Sequence, residues 1–321
     1  MSSASPELYD ISQWPNAVSA ALILLNSLIG FLFNAAIIYS FLIDRRQKTA
    51  FNLICVFRAV NNIYILVVTM LGVYFPATIL GYSIYSPIVE SVLITSGVNL
   101  MVYNEFQGIY LSVNRLVAIF FPLKYNLICG IKLTFALHML YYLDRIRNVT
   151  FENIDRYNAS NFMLFSFEHL AYGGSIVTPD GMFLWAVGLL IFPFLVNAVT
   201  FSRFYCLRKR ASRSSEHWKK AKQNMILFGQ TVLQDSLFSI SVICTLKANT
   251  LIKHRFWTYF TQSFMWQAIH VLDGFIMLMF NERLSLIKNS IVARVSPGET
   301  SAKPAENSAK SATMRMPDVA N

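Results

Sequence analysis

The chain has 321 residues, 55% of them hydrophobic and only 14% charged, which is too much continuous apolar sequence for one soluble core and marks a polytopic membrane protein. In a soluble protein a net charge of +10 would point to an acidic partner. Here the placement of the basic residues carries the information, and no nucleic-acid partner is inferred.

Residues 1–16 form a polar segment with Glu7 and Asp10 and no basic stretch ahead of an apolar core. No cleaved leader is expected, so the first span serves as its own signal. A helix needs roughly 20 apolar residues to cross about 30 Å of hydrocarbon. On that measure spans are predicted at residues 17–43, 51–75, 88–121, 127–143, 181–204, 224–246 and 256–280. The fold expected for 17–280 is therefore an all-α bundle of seven transmembrane helices. The fourth span is the weak one, short and carrying Lys132 and His138.

With the amino terminus outside, all but six of the 27 Lys and Arg fall on inner segments or inner span ends; the six are Arg145, Arg147, Arg156, Lys247, Lys253 and Arg255. Two glycosylation sequons, at Asn148 and Asn158, both fall in the loop predicted to follow the fourth span on the outside. They require the fourth span to cross. The four cysteines, Cys55, Cys129, Cys206 and Cys244, fall at inner borders or within a span, so no extracellular disulfide is expected. Past the last span, residues 281–295 mix Leu and Ile with Arg and Lys at helical spacing, which suits either a helix in the inner interface or a solvated continuation of the seventh span. Residues 296–321 are rich in Ser, Ala, Lys and Pro and are expected to be a disordered cytoplasmic tail.

Ionisable groups within hydrocarbon must face the bundle interior and find partners, so each is a functional candidate. Glu90, Glu105, Asp235 and Asp273 qualify. At about 100° per residue, Asn104, Gly108 and Arg115 share one stripe of the third span, while Glu105 turns toward a neighbouring helix. On the seventh, Trp266, His270, Asp273 and Met277 share a face. On the sixth, Gln223, Gln230, Gln234 and Ser241 make a polar stripe with Asp235 to one side. Such amides also serve simply to join helices. Arg58 lies near the inner end of the second span, where snorkelling to the headgroups is the favoured reading and pairing with an interior acid the alternative. There is no His-rich metal pattern, no phosphate loop and no nucleophile with a base, so neither enzyme chemistry nor a cofactor or metal is expected.

Three stretches carry a family likeness: NRLVAIFFPLKY (Asn114 to Tyr125), FGQTVLQDSLF (Phe228 to Phe238) and WQAIHVLDGFIMLMFN (Trp266 to Asn281). The chain resembles the seven-helix, rhodopsin-like G-protein-coupled receptors and, within them, the nematode serpentine chemoreceptors of class Srx, over most of residues 17–292. The resemblance implies that Arg115 is the switch arginine that meets the G protein. It puts Asn114 where many such receptors carry an acid. Asn34 is similar to the family's buried first-helix asparagine, and Pro193 to its fifth-helix proline. Asp273 matches the Asn or Asp that opens the seventh-helix motif, with Gly274 in place of its proline. The usual disulfide from the outer end of the third helix to the second outer loop has no cysteines here, and Tyr172 stands near the expected position. A third helix lacking both restraints is expected to be loosely held and to show basal activity.

The function implied is a plasma-membrane chemoreceptor, with a sensory cilium as one location, that binds an external small molecule and activates a heterotrimeric G protein. Tyr103, Asn104, Gln262 and Trp266 are ligand candidates by depth and face, and the basic loop 203–222 would join Arg115 at the G protein. The competing readings are a seven-span transporter or ligand-gated channel, or a divergent, non-functional receptor with a defective fourth span.

Overall fold

In a computed structural model, which describes residues 14–173, 179–210 and 216–280, the chain is almost wholly helical. Among the described residues seven helical columns follow one another: α1 (Trp14–Ile43), α2 (Ala50–Leu80), α3 (Pro87–Phe120), α4 (Ile131–Asn158), α5 (Pro179–Arg210), α6 (Glu216–Leu246) and α7 (residues 255–279). By length and apolar composition alone, four stretches can cross a membrane: Trp14–Ile43, Ala50–Leu80, Tyr125–Asn158 and Met225–Thr250. The 34-residue α3 is long enough, but Asn99, Asn104, Glu105, Gln107 and Asn114 dilute its apolar character. The juxtamembrane helix expected at 281–295, the tail 296–321 and most of the polar segment 1–16 lie outside the described residues, as do the side chains of most of the basic loop.

Local chemistry sets the helix ends. Thr49 caps α2, its hydroxyl accepting from the Asn52 N–H at 3.2 Å, and Ser86 with Pro87 behind it opens α3. Gly81, at φ 73°, ends α2 in the left-handed conformation that a residue with a β-carbon avoids. Within α2, residues Ile65–Tyr74 are π-helical, just ahead of Pro76. Proline has no N–H and crowds the carbonyl four residues back, and the wider winding before it accommodates both effects.

Helix α1 packs against α7 and α2, α3 against α5, α4 and α2, and α6 against α5 and α7. Gly30 lets α1 approach most closely: a β-carbon there would stand 2.6 Å from Leu66 Cδ1 and 2.8 Å from Val271 Cγ2. Between α4 and α5 the strands β1 (Leu164–Ser166) and β2 (Ala171–Gly173) form an antiparallel hairpin with Phe165 opposite Tyr172. Under the hairpin lies an apolar cluster that includes Met70, Tyr74, Ile94, Phe165 and Trp266; a second, around Ile37, Ile54, Leu111 and Met277, lies elsewhere in the bundle.

The fourth helix departs from expectation. It does not end at 143 but continues to Asn158 as a 28-residue helix, so the stretch expected to be a loop is helical. Polar docking extends it. The Ser91 hydroxyl donates to Asn153 Oδ1 at 3.1 Å, Asn99 Nδ2 to Glu152 Oε2 at 3.2 Å, and Arg156 grips Glu152 through Nε and Nη2 at 3.2 and 3.0 Å. Hydropathy cannot see a helix held by hydrogen bonds to its neighbour. The defective fourth span, on which the non-functional reading rested, is thus corrected. Asn148 lies mid-helix, half-buried, its amide donating to Asp144 at 3.2 Å, whereas Asn158 is the exposed last residue.

Candidate functional site

The interior is organised around an ion pair between α2 and α7. Arg58 is 5% exposed and Asp273 2%. The guanidinium donates from Nε to Oδ2 at 3.2 Å and from Nη2 to Oδ1 at 2.9 Å, while Nη1 reaches the Asn104 carbonyl of α3 at 2.9 Å. The snorkelling expected for Arg58 is therefore overturned: it turns inward because a carboxylate and a helix carbonyl await it there. A forked donor matched to a carboxylate is the geometry for which arginine is suited. Asp273 accepts two further bonds, from Gln234 Nε2 of α6 at 2.6 Å and Asn62 Nδ2 at 2.9 Å. Burial of this charge is compensated on both oxygens.

Asn62 is the hub. Its amide donates to Asp273 and to Asn34 Oδ1 (3.0 Å), and its oxygen accepts from Asn104 Nδ2 (2.8 Å) and His270 Nδ1 (2.8 Å), so all four of its hydrogen-bonding positions are used. That arrangement makes Nδ1 the protonated nitrogen of His270. The chain of amides goes on from Asn104 Oδ1 to Asn61 Nδ2 (2.8 Å), whose oxygen accepts from the Tyr142 hydroxyl of α4 at 2.6 Å. Asn34 Nδ2 closes the other end on the His270 and Gly30 carbonyls at 3.2 and 2.8 Å. The network thus touches α1, α2, α3, α4, α6 and α7. Outside this connected set, Asp235 of α6 bonds to α5, accepting from Asn197 Nδ2 at 2.8 Å. Gly274 admits Asn34 to this space: a β-carbon there would stand 2.5 Å from Asn34 Nδ2.

The expected faces hold. Trp266, His270, Asp273 and Met277 are all buried, as are Gln230, Gln234 and Ser241, while Asp235 is half-buried on the side facing α5. Gln230 Nε2 lies 3.9 Å from Cys55 Sγ, and the side chain of Gln223 is outside the described residues. Glu105 is half-buried. His270 and Asp273 do not bond to each other; both are joined through Asn62.

The four ligand candidates are not brought together. Tyr103 turns to α4, stacked on Tyr141 at 4.8 Å with its hydroxyl donating to the His138 carbonyl at 3.3 Å, and Asn104 is consumed by the network. Gln262 is half-buried in a π-helical turn of α7 (Phe260–Phe264), and Trp266 sits beneath the hairpin. Face arithmetic could not separate a neighbouring helix from the bundle centre.

At the other end of α3, Arg115 is 6% exposed, its guanidinium 4.6 Å from the centre of the Phe51 ring, with Nε and Nη2 lacking partners among the described residues. Asn114 beside it accepts from the Tyr125 hydroxyl at 3.1 Å. At the hairpin end α3 is not loose. The Phe165 N–H donates to Glu90 Oε1 at 2.7 Å and the Met163 N–H to Ser91 Oγ at 3.2 Å. All four cysteines are free, and hydrogen bonds do the anchoring.

Sequence reasoning missed Asn61, Asn62, Gln267 and the role of Glu90. The available signal is the pair of adjacent asparagines in an apolar run, which carry no charge and so do not stand out as ionisable groups do. Gln267 donates to the Ile23 carbonyl at 2.8 Å and Ser27 Oγ at 2.7 Å, tying α7 to α1.

A family model described as serpentine type 7TM GPCR chemoreceptor Srx matches residues 24–281. No curated protein matches the chain.

Proposed function

From the premise that the chain belongs to the Srx family of serpentine seven-transmembrane chemoreceptors, we propose that it resides in the plasma membrane, amino terminus outside, binds an external small molecule and activates a heterotrimeric G protein. The observation that carries this reading is the buried network itself. Asn62 and Asp273 fix the relative positions of six helices through one connected set of bonds, so a ligand that disturbs one helix biases the packing of the others. Arg115, whose Nε and Nη2 lie buried without partners among the described residues at the end of α3 away from the hairpin, is the group a G protein would engage once that packing opens. With no acidic partner among the described residues, burial rather than an ion pair keeps it from reaching out.

Transport or conduction calls for a path through the interior, commonly lined by broken helices in matching halves. Mutually hydrogen-bonded side chains fill that region instead, which favours the receptor reading. The test is guanine-nucleotide exchange on G protein by the full chain in lipid nanodiscs. Wild type is expected to catalyse exchange and Arg115→Ala to lose it at equal folded amount; exchange unaffected by Arg115→Ala would overturn the coupling role.

A further inference from the structure

At the hairpin end the Trp266 indole N–H is buried without a partner among the described residues, and the Tyr74 hydroxyl, which meets the Tyr172 backbone N–H, has no acceptor there for its own O–H; the two side chains are 4% and 0% exposed. An unpaired buried donor is unfavourable enough to be rare in native structures and calls for something that accepts from it. The two rings meet edge to face at 6.0 Å; Tyr172 of the hairpin lies 5.8 Å from Trp266 and Phe165 4.9 Å from Tyr74. Tyr74 is the last residue of the π-helical stretch of α2 that precedes Pro76, and Trp266 lies two residues past the π-helical stretch of α7, Phe260–Phe264; such windings gather at functional sites.

Resting on the receptor reading, we infer that this aromatic cluster is the recognition subsite and that it takes a neutral, compact, largely apolar molecule bearing a hydrogen-bond acceptor such as a carbonyl oxygen. The aromatic walls supply apolar contact, and the Trp266 N–H and the Tyr74 O–H can each donate to an acceptor oxygen. Glu90 accepts from the Phe165 N–H on one oxygen, and titration with an ammonium tests whether the other draws a cation. The route onward is short. Trp266, His270 and Asp273 lie on one face of α7, so a molecule bound at Trp266 acts on the helix that carries Asp273. The hairpin is joined to the same helix, since Ser263 Oγ donates to the Leu170 carbonyl at 2.7 Å.

The test uses the full chain, labelled with 15N-tryptophan in nanodiscs, with the Trp266 indole signal identified among the five by its loss in Trp266→Phe. Three probes of one skeleton are titrated: acetophenone, ethylbenzene and 1-phenylethylammonium. Acetophenone is expected to move the Trp266 signal saturably and the other two not, with Tyr74→Phe weakening acetophenone by about fivefold, the worth of one hydrogen bond. No shift with acetophenone, an equal shift with ethylbenzene, or tighter binding of the ammonium overturns the subsite. Should Tyr74→Phe fail to fold, the three probes on wild type still decide. Arg115-dependent nucleotide exchange, measured on the same nanodiscs, separates the two claims. Exchange without a shift sinks the subsite alone, and a saturable shift without exchange sinks the coupling alone.

Discussion

Arg58 and Asp273, 215 positions apart in the chain, meet through two guanidinium–carboxylate bonds of 3.2 and 2.9 Å inside the bundle. Removing one member of such a buried pair strands the other charge and costs about 3–5 kcal/mol, whereas replacing both by neutral groups of like shape is close to neutral. Arg58→Ala or Asp273→Ala is therefore expected to lower the melting temperature sharply in detergent. The paired change Arg58→Gln with Asp273→Asn is expected to recover most of it. Additive losses in this cycle would show that the two side chains do not interact.

Gly274 is required by Asn34. A methyl group at Gly274 meets the Asn34 amide at 2.5 Å, and overpacking of this kind costs about 1–3 kcal/mol. Gly274→Ala is expected to destabilise the protein, and Asn34→Ala in the same chain to destabilise it by less than the sum of the two single changes. Thermal melting of the four proteins measures the coupling.

The anchor of α3 at the hairpin is a carboxylate on a backbone N–H. Glu90→Gln keeps an acceptor oxygen and is expected to be mild; Glu90→Ala loses a charge-assisted bond worth about 1.5–3 kcal/mol. Reductant is expected to leave the melting temperature of wild type unchanged, since all four cysteines are free. A drop on reduction would reveal a disulfide and contradict this anchor.

The two sequons are not equivalent. Asn158 is exposed at the end of α4, and Asn148 is half-buried in its middle and hydrogen-bonded to Asp144. In expressing cells Asn158→Gln is expected to remove most of the glycan-dependent gel shift and Asn148→Gln little of it. Absence of any glycan in the surface-delivered protein would place this end of α4 on the inner side.

The helical class of the bundle was legible because long apolar runs report on hydrocarbon, most directly in α1, α2 and α6, and the inward faces of α6 and α7 followed from helical period. Three things were not legible. Arg58 looked like a snorkelling residue because position along a helix does not say which way a side chain turns or what waits for it 215 residues later. The polar half of α4 looked like a loop because its helix is held by Ser91 and Asn99 of another element. Tyr103 looked inward because the centre of the bundle and the flank of α4 differ by less than face arithmetic resolves. Each miss concerns a long-range polar partner, which local pattern does not encode.

The central claim is that the Arg58–Asp273 network holds the helices in the arrangement that buries Arg115. Its most direct test is basal guanine-nucleotide exchange by the full chain in nanodiscs, comparing wild type with the Arg58→Gln, Asp273→Asn pair at equal folded amount. Loss of about 1.4 kcal/mol from the closed arrangement raises the open population about tenfold where that population is small. The double variant is expected to show raised exchange in the absence of any ligand, abolished again by adding Arg115→Ala. Exchange equal to or below that of wild type in the folded double variant would contradict the account.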